Sequence, residues 1–530
     1  MRRIPLHLYL FSLASAGLQI LPFPIAGPVP GWRRIFCWIC LVPLLLALAG
    51  KQRNGKPLRF AQSALLGYIC GIAWYLGNCY WIYATMHLYG NLSEPAAAGV
   101  LCLFALYLGL YLGLFGLLFA VIRKNWSLTV ALVTSPLLWV AVELARDQVT
   151  GFPWDLLGYS QIDNLTLTRM APWTGVFGLS LVIAIVNMLW TIPATKLSAK
   201  LRFAAPAAAC ALTAVMVCLQ FKGPNPQPSP ATATAVLVQE NLSVGAGTQQ
   251  HLETKDAMLT SFAALSRHPD FPDKSGAASP PQLIVWPESP ASFLDSDTAY
   301  RDFMERLAQN SAAPILADDL SLGPRNSDGS YSLYNSASFF KQDGTYGGRY
   351  DKMHLVPFGE YVPYKPLFFF AGNLLEGLPF IPGQQRVLFD DNGRKYGVFI
   401  CYESIFGDEI RQFVVNGAQV LVNLSDDGWY GDSSAPWEHL DMLRMRAIEN
   451  HRWVLRSTNT GVTASIDPYG RIVDQMPRHV RGALLARFNY IGNLTFYSRY
   501  GDWIAWICSF LSALVVIVGL ARSRTQRPAQ

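Results

Sequence analysis

The sequence is short of charged residues. Only 15% of its 530 residues are Asp, Glu, Lys or Arg, whereas about a quarter are charged in ordinary soluble chains. Hydrophobic residues make up 51%, which indicates a membrane protein. A net charge of +6 could suit nucleic acid, but where the charges lie matters more than their sum. We expect no nucleic-acid partner.

The sequence also lacks the cysteine patterns of metal sites and disulfide scaffolds. No Cys and His residues occur at zinc-ligand spacing, and no internal repeat or low-complexity tract is evident. We therefore expect no metal and no cofactor. Eight of the nine cysteines lie in apolar runs, which leaves Cys401 alone in the polar segment after residue 222.

Long apolar runs recur along the chain, and a membrane span needs ~20 helical residues. We expect eight spans, at about 5–25, 33–50, 60–82, 96–122, 127–143, 173–193, 203–221 and 503–521. One run alone could be a buried core helix, but eight favour an α-helical transmembrane bundle. The predicted domains are a seven-helix bundle over 1–221, a Pro-rich linker over 222–231, an outward domain over 232–490, and a last span with a tail over 491–530.

Basic residues predict how the bundle is oriented. The loops after spans two, four and six carry Lys51, Arg53, Lys56, Arg59, Arg123, Lys124, Lys196, Lys200 and Arg202, whereas residues 83–95 carry no Lys or Arg. By the positive-inside rule both termini are cytoplasmic, although Arg33 and Arg34 oppose this. The large domain then faces outward, into the periplasm if the membrane is a bacterial inner membrane. Arg2, Arg3 and the stretch 14–16 also imitate a signal peptide, whose cleavage would not change the orientation of the rest.

Short apolar runs alternate with amphipathic stretches in the outward domain. We predict strands at 235–239, 283–286, 314–317, 331–340, 398–400, 420–423, 453–457 and 462–466, and helices at 251–266, 297–309, 405–416 and 436–451. This alternation is typical of an α/β layered fold.

Cys401 stands where the predicted strand 398–400 gives way to the polar residues Tyr402, Glu403 and Ser404. A free cysteine is often only a small core residue, and that alternative stays open. Its position at a strand end favours a nucleophile, which needs a base and a group that stabilises an oxyanion.

Two charged residues are candidates for these roles. Glu288 ends the apolar stretch 283–287, although a carboxylate there could also be a solvated loop acid. Lys352 is flanked by apolar residues and should be partly buried beside a charge partner, although most single lysines are surface charges. A histidine base is the competing assignment. The outward domain offers six candidates, none in a pocket-like strand-end context: His251, His268, His354, His439, His451 and His479.

Three stretches carry a resemblance to a known family: VWPES at 285–289, YDKMHLVPFGEYVP at 350–363, and FICYESIF at 399–406. In this order they resemble the Glu–Lys–Cys triad of the nitrilase superfamily. With seven spans before and one after, the chain resembles that superfamily's membrane-embedded branch, the apolipoprotein N-acyltransferases. GFPW at 151–154, SDDGWYG at 425–431 and MRAIE at 445–449 fit the same family, so the resemblance covers nearly the whole chain.

The resemblance implies a nitrilase-like αββα sandwich and a role for each matching residue. Glu288 would be the general base, Cys401 the nucleophile and Lys352 the oxyanion stabiliser. Residues implied to support the site or contact substrate are Glu360, Tyr402, Glu403, Asn335 and Trp429. The chain departs from the family pattern at two places. No Trp follows Gln239-Glu-Asn241, and Asp426 stands where Asn is frequent.

The implied reaction moves an acyl chain from a membrane phospholipid to the α-amine of a diacylglyceryl-cysteine lipoprotein, through a thioester on Cys401. A monomer is expected. The stretch 361–383, with Phe368, Phe369 and Phe370, is too apolar for an ordinary exposed loop. It predicts a lid over the site that dips into the bilayer, or else satellite core packing. Two rivals stay open: a membrane-anchored nitrilase-type hydrolase with water as acceptor, and a transporter with a periplasmic sensor domain.

Overall fold

The computed structural model describes residues 4–194, 199–222, 229–244, 255–269, 280–288, 293–326, 329–357, 359–361 and 380–525. The predicted lid residues Phe368, Phe369 and Phe370 lie outside these ranges.

Apolar helices form the first part of the chain and its C-terminal end. Six helices in the described residues are long and apolar enough to cross a membrane: Gly31–Ala49, Phe60–Asn78, Glu94–Asn125, Leu128–Thr150, Leu167–Thr191 and Trp503–Ser523. They correspond to six of the eight expected spans. The first and seventh expected spans correspond to shorter apolar helices, Leu6–Ile20 and Arg202–Cys218, so a count of eight stays a prediction.

Glycines allow two of these helices to pack closely. On the helix Glu94–Asn125, a Cβ on Gly116 would lie 2.3 Å from the main-chain oxygen of Ser63, on the neighbouring helix Phe60–Asn78. Only glycine permits this backbone approach, as expected for a GxxxG-type contact in a membrane.

The described residues of the second part of the chain form two six-stranded sheets. The strands are β1 (Ala233–Gln239), β2 (Leu283–Val285), β3 (Ile315–Arg325), β4 (Tyr331–Phe340), β5 (Tyr346–Asp351), β6 (Leu388–Asp391), β7 (Arg394–Ile400), β8 (Val420–Ser425), β9 (Val454–Thr458), β10 (Ala464–Ile466), β11 (Ile472–Gln475) and β12 (Gly482–Phe488). The orders are β12-β1-β2-β3-β4-β5 and β11-β10-β9-β8-β7-β6. Strands β1–β2–β3 and β7–β8–β9 pair in parallel, and the flanking pairs are antiparallel.

The two sheets face each other across one apolar core. Leu237 and Leu316 of the first sheet lie in the same buried cluster as Val398, Leu421 and Leu455 of the second. Helices cover the outer faces: Lys255–Arg267 and Thr298–Ser311 on one side, Gly407–Val415 and Ala435–Asn450 on the other. The αββα sandwich is therefore present as expected.

The sandwich contacts the helical part through the helices that cover the outer face of the second sheet. The helix Ala435–Asn450 packs against the helix Ala171–Thr191, and Glu449 Oε1 accepts a hydrogen bond from the main-chain N–H of Val176 at 2.9 Å. A partly exposed ionic cluster reinforces this contact: Arg34 and Arg444 both pair with Asp163 and Asp441. The helix Ala435–Asn450 thus attaches the second sheet to the helical bundle.

Candidate active site

Glu288 meets Lys352 and Glu360, from a segment more than sixty residues further along the chain, near the ends of strands. Glu288 follows β2, and Lys352 follows β5 directly. The Lys352 Nζ lies 3.3 Å from Glu288 Oε1 and 3.0 Å from Glu360 Oε1. Lys352 is only 1% exposed, so a buried cation is held by two carboxylates, as a charge in such surroundings requires.

Asn335 joins the same cluster from β4. Its amide donates to Glu288 Oε1 at 2.9 Å and to Glu360 Oε1 at 3.1 Å. The main-chain oxygen of Asn335 accepts from the main-chain N–H of Lys352 at 2.8 Å. Asn335 therefore positions the two carboxylates and the backbone of the lysine together.

The remaining carboxylate oxygens are held by the main chain. Glu288 Oε2 accepts from the N–H of Asp426 at 3.0 Å, and Glu360 Oε2 accepts from the N–H of Val356 at 2.7 Å. These bonds fix the rotamers of both acids. The charges of Glu288 and Glu360 outweigh burial, which acts in the opposite direction, and they raise the pKa of Lys352 well above its usual value. The lysine is therefore a cation.

Cys401 begins a tight 3₁₀ turn, Cys401–Ile405, immediately after β7. Its backbone has φ of +49°, a left-handed conformation that costs a non-glycine residue about 1–3 kcal/mol. The thiol is 5% exposed. Burial, and then the negative charge of Glu288, raise its pKa, while the charge of Lys352 lowers it. The resting sulfur is thus a thiol that needs a base, and both Glu288 and Lys352 act on it electrostatically.

Glu403 holds the turn from inside. Its Oε1 accepts from the Tyr350 hydroxyl and the Met353 N–H, both at 2.7 Å, and from the His354 N–H at 3.1 Å. Its Oε2 accepts from the N–H of Ile400 at 2.7 Å. The one carboxyl group therefore joins the turn Cys401–Ile405 to the segment that carries Lys352.

Tyr402 and Trp429 lie at the rim of this cluster. The Tyr402 hydroxyl donates to the main-chain oxygen of Gly151, in the loop after the helix Leu128–Thr150 of the helical part, at 3.3 Å. Trp429 is 44% exposed, and its ring meets that of Tyr89 edge to face with centroids 6.2 Å apart. Tyr402 thus contacts the bundle, and Trp429 stands at the surface.

Sequence reasoning missed a second buried polar group behind the cysteine. His439 places Nε2 2.6 Å from the Ser404 hydroxyl oxygen and 3.1 Å from the carbonyl oxygen of Cys401. Its Nδ1 lies 2.9 Å from Asp427 Oδ1, and Asp427 Oδ2 pairs with Arg456 at 2.6 Å. The sequence evidence for a role of His439 was weak because this residue lies in the middle of a helix. The spacing of residues along a helix does not show which distant side chains a given residue contacts.

The site lies directly against the helical part. Tyr402, Ile405 and Phe406 belong to the same buried apolar cluster as the residues of the helices. Trp154 donates to Glu438 at 2.6 Å and stacks on the ring of His439, with centroids 6.1 Å apart. A molecule held between these helices would therefore be close to the thiol.

The arrangement is suited to acyl transfer. It combines a buried thiol, a carboxylate and a lysine that retains one N–H beyond the two engaged by Glu288 and Glu360. Within the described ranges no group of three or more His, Cys, Asp or Glu side chains could hold a metal ion. The fold and these residues define a carbon–nitrogen-hydrolase-type enzyme attached to a bundle of apolar helices.

Comparison with known proteins shows which family within this class of enzymes the chain resembles. The family model for carbon-nitrogen hydrolases matches residues 264–490, and that for the apolipoprotein N-acyltransferase N-terminal domain matches residues 15–189. The chain is 34% identical over 528 residues to the apolipoprotein N-acyltransferase of Geobacter metallireducens, covering 98% of this chain and 96% of the relative. It is 33% identical over 532 residues to that of Methylococcus capsulatus, with the same coverage of 98% and 96%.

The chain belongs to the apolipoprotein N-acyltransferase family and is an acyltransferase, so the expected resemblance is confirmed. Among solved structures, Saccharomyces cerevisiae Nit3, a member of branch 10 of the nitrilase superfamily, is 20% identical with a TM-score of 0.36. That match covers 50% of this chain and 92% of Nit3.

Proposed function

We propose that this enzyme takes an acyl chain from a membrane phospholipid and transfers it to the α-amine of a diacylglyceryl-cysteine lipoprotein. The main support is the position of the Cys401 turn, which carries the thiol and packs into the apolar core of the helical bundle. Both substrates are lipids, and taking an acyl chain out of the bilayer costs ~0.8 kcal/mol per CH₂. A site at the bundle surface avoids most of that cost.

The first half of the reaction loads the cysteine. Glu288 accepts the thiol proton, and the Cys401 sulfur attacks the ester carbonyl of the phospholipid. The third N–H of Lys352 and a main-chain N–H near Tyr402 bind the oxyanion, where one such donor is worth ~3–4 kcal/mol. The carbon–oxygen bond breaks, Glu288 returns the proton to the leaving oxygen, and a lysophospholipid departs. A thioester remains on Cys401.

The second half unloads the cysteine. The α-amine of the lipoprotein attacks the thioester, Glu288 accepts a proton from nitrogen, and the carbon–sulfur bond breaks. The thiolate regains a proton and an amide is released, which is a ping-pong sequence. Hydrolysis of the thioester must be slow, and the burial of Cys401 and Lys352 limits the access of water.

The cellular arrangement follows from the charge of the loops. The protein is a bacterial inner-membrane enzyme with eight spans, both termini in the cytoplasm, and the sandwich in the periplasm. It works as a monomer.

The test is an assay that shows whether the acyl group is transferred to a lipopeptide amine or to water. Purified enzyme in phospholipid vesicles with labelled acyl chains is mixed with a synthetic diacylated lipopeptide. N-acylated peptide is expected from the wild type and from Cys102→Ala, a control at an exposed cysteine of the helix Glu94–Asn125, but not from Cys401→Ala. Free fatty acid as the only product would mean that water is the acceptor, and product formation by Cys401→Ala would refute the mechanism.

A further inference from the structure

The most informative feature outside the Glu–Lys–Cys cluster is the buried group behind the nucleophile turn. Asp427, His439 and Arg456 are fully buried, and Ser404 lies between them and Cys401. The side chains come from three separate elements: Asp427 follows β8, His439 lies in the helix Ala435–Asn450, and Arg456 lies in β9. A buried ionic group of this kind is costly to assemble, which suggests a role beyond packing.

The hydrogen bonds determine where the proton of His439 lies. Burial raises the pKa of Asp427, but the charge of Arg456 and the hydrogen bond from His439 outweigh burial and lower that pKa, so Asp427 is a carboxylate that can only accept. Nδ1 of His439, 2.9 Å away, must therefore carry a proton. Burial, and then the charge of Arg456, lower the pKa of His439, so the ring is neutral. Nε2 then accepts from the Ser404 hydroxyl at 2.6 Å.

The geometry does not favour His439 as the base for the thiol. Nε2 approaches the main-chain oxygen of Cys401 at 3.1 Å and the Ser404 hydroxyl. Both contacts are to the turn that follows the sulfur. The ring also binds Asp427 through Nδ1 and stacks on Trp154 of the helical part.

The turn needs such support because Cys401 adopts the left-handed backbone conformation. A residue keeps this strained conformation only when its surroundings impose it. Glu403 holds the turn on the side of the lysine, and His439 is in contact with it on the opposite side. We propose that His439 is a positioning residue for acyl transfer, oriented by Asp427, that binds the Ser404 hydroxyl and thereby fixes the turn Cys401–Ile405 so that the thiol and the adjacent N–H groups face the ester.

This inference rests on the proposed function, and two substitutions separate positioning from stability. His439→Gln places a polar group near the position of Nε2 and keeps the contact with the turn. His439→Asn places one near the position of Nδ1 and keeps the contact with Asp427. A role in positioning therefore predicts that Cys401 is acylated faster in His439→Gln than in His439→Asn. A purely structural role through Asp427 predicts that His439→Asn is the faster of the two.

The measurement is the single-turnover rate at which full-length enzyme in phospholipid vesicles gains an acyl group, followed by intact-protein mass spectrometry. We expect His439→Asn to be about 10- to 100-fold slower than the wild type, with His439→Gln between them. The matched control is His451→Asn. His451 ends the same helix with φ of +50°, a conformation that Asn tolerates, and the wild-type rate is expected.

A second variant keeps the test valid if both His439 substitutions prevent folding. Ser404→Ala removes the hydroxyl contact and leaves Asp427, His439 and Arg456 in place, and it should slow acylation while the thermal midpoint stays close to that of the wild type. Equal rates for the wild type, Ser404→Ala and both His439 variants would overturn the inference, as would a faster Asn variant than Gln variant. A wild-type enzyme that forms no adduct would instead refute the proposed function itself.

Discussion

Asp426 offers a test of the electrostatics at the base of the site. Its N–H donates to Glu288, while its own carboxyl accepts from the Gly428 N–H at 2.9 Å and the Asn459 amide at 3.1 Å. Burial, and then the charge of Glu288, raise the pKa of Asp426 from 3.8 to about 8. The folded protein therefore keeps this proton at pH values where the unfolded chain has lost it.

The raised pKa of Asp426 determines how this residue changes the free energy of unfolding with pH. An acid with a raised pKa in the folded state weakens folding progressively as pH rises from its unfolded pKa to its folded pKa. With these two values the weakening at pH 7 is about 4 kcal/mol, on the order of 1.4 kcal/mol per unit. Asp426→Asn removes the charge but loses the acceptor for the Asn459 amide, which costs about 1 kcal/mol. The variant should be more stable by about 3 kcal/mol at pH 7.

Thermal unfolding of the purified protein in detergent, from about pH 4 to about pH 8, tests this. The midpoint of the wild type should fall with rising pH more steeply than that of Asp426→Asn, and the two should converge or cross near pH 4. Asp302→Asn, at an exposed position of the helix Thr298–Ser311, is the control and should follow the wild type. Parallel curves for the wild type and Asp426→Asn would refute the reasoning.

Three further predictions concern neighbours of the thiol. Lys352→Met removes the proposed oxyanion donor and leaves Glu288 and Glu360 facing each other, so single-turnover acylation should fall by about 10²–10³-fold or more; a near-normal rate would exclude Lys352 from the oxyanion site. Asn335→Leu removes both amide bonds to these acids and should lower the same rate by about 10- to 100-fold; an unchanged rate would contradict its positioning role. Glu403→Gln places an amide N–H opposite the Ile400 N–H and should destabilise the protein by about 1–3 kcal/mol; an unaltered thermal midpoint at pH 7 would contradict the role of Glu403 in holding the turn Cys401–Ile405.

Local patterns in the sequence predicted much of the sandwich. The strand expected at 331–340 matches β4 (Tyr331–Phe340), and the helix expected at 436–451 is observed as Ala435–Asn450. Four strands were not anticipated: β5 (Tyr346–Asp351), β6 (Leu388–Asp391), β11 (Ile472–Gln475) and β12 (Gly482–Phe488). All four are edge strands. Most side chains of β5, β6 and β11 are only partly buried, so their apolar signal in the sequence is weak, whereas most of β12 is buried.

The residues of the candidate site were predictable where a polar or reactive side chain follows an apolar strand. Glu288 and Cys401 follow β2 and β7. Lys352 was expected to be partly buried beside a charge partner; it does lie beside Glu288, and at 1% exposed it is more deeply buried than expected. The contacts of His439 and the N–H donated by Asp426 could not be predicted, because both depend on how distant elements pack. Spacing along a helix shows which face is apolar, but it does not show which turn that face meets.

The central claim is that the Cys401 sulfur, activated by Glu288, accepts an acyl group from a phospholipid. Intact-protein mass spectrometry of the full chain mixed with phospholipid vesicles, without any acceptor, tests it most directly. The predicted result is a mass increase of one acyl group on the peptide that contains Cys401, present in the wild type and absent in Glu288→Ala. Wild-type protein without this adduct, or acyl transfer that persists in Cys401→Ala, would contradict the account.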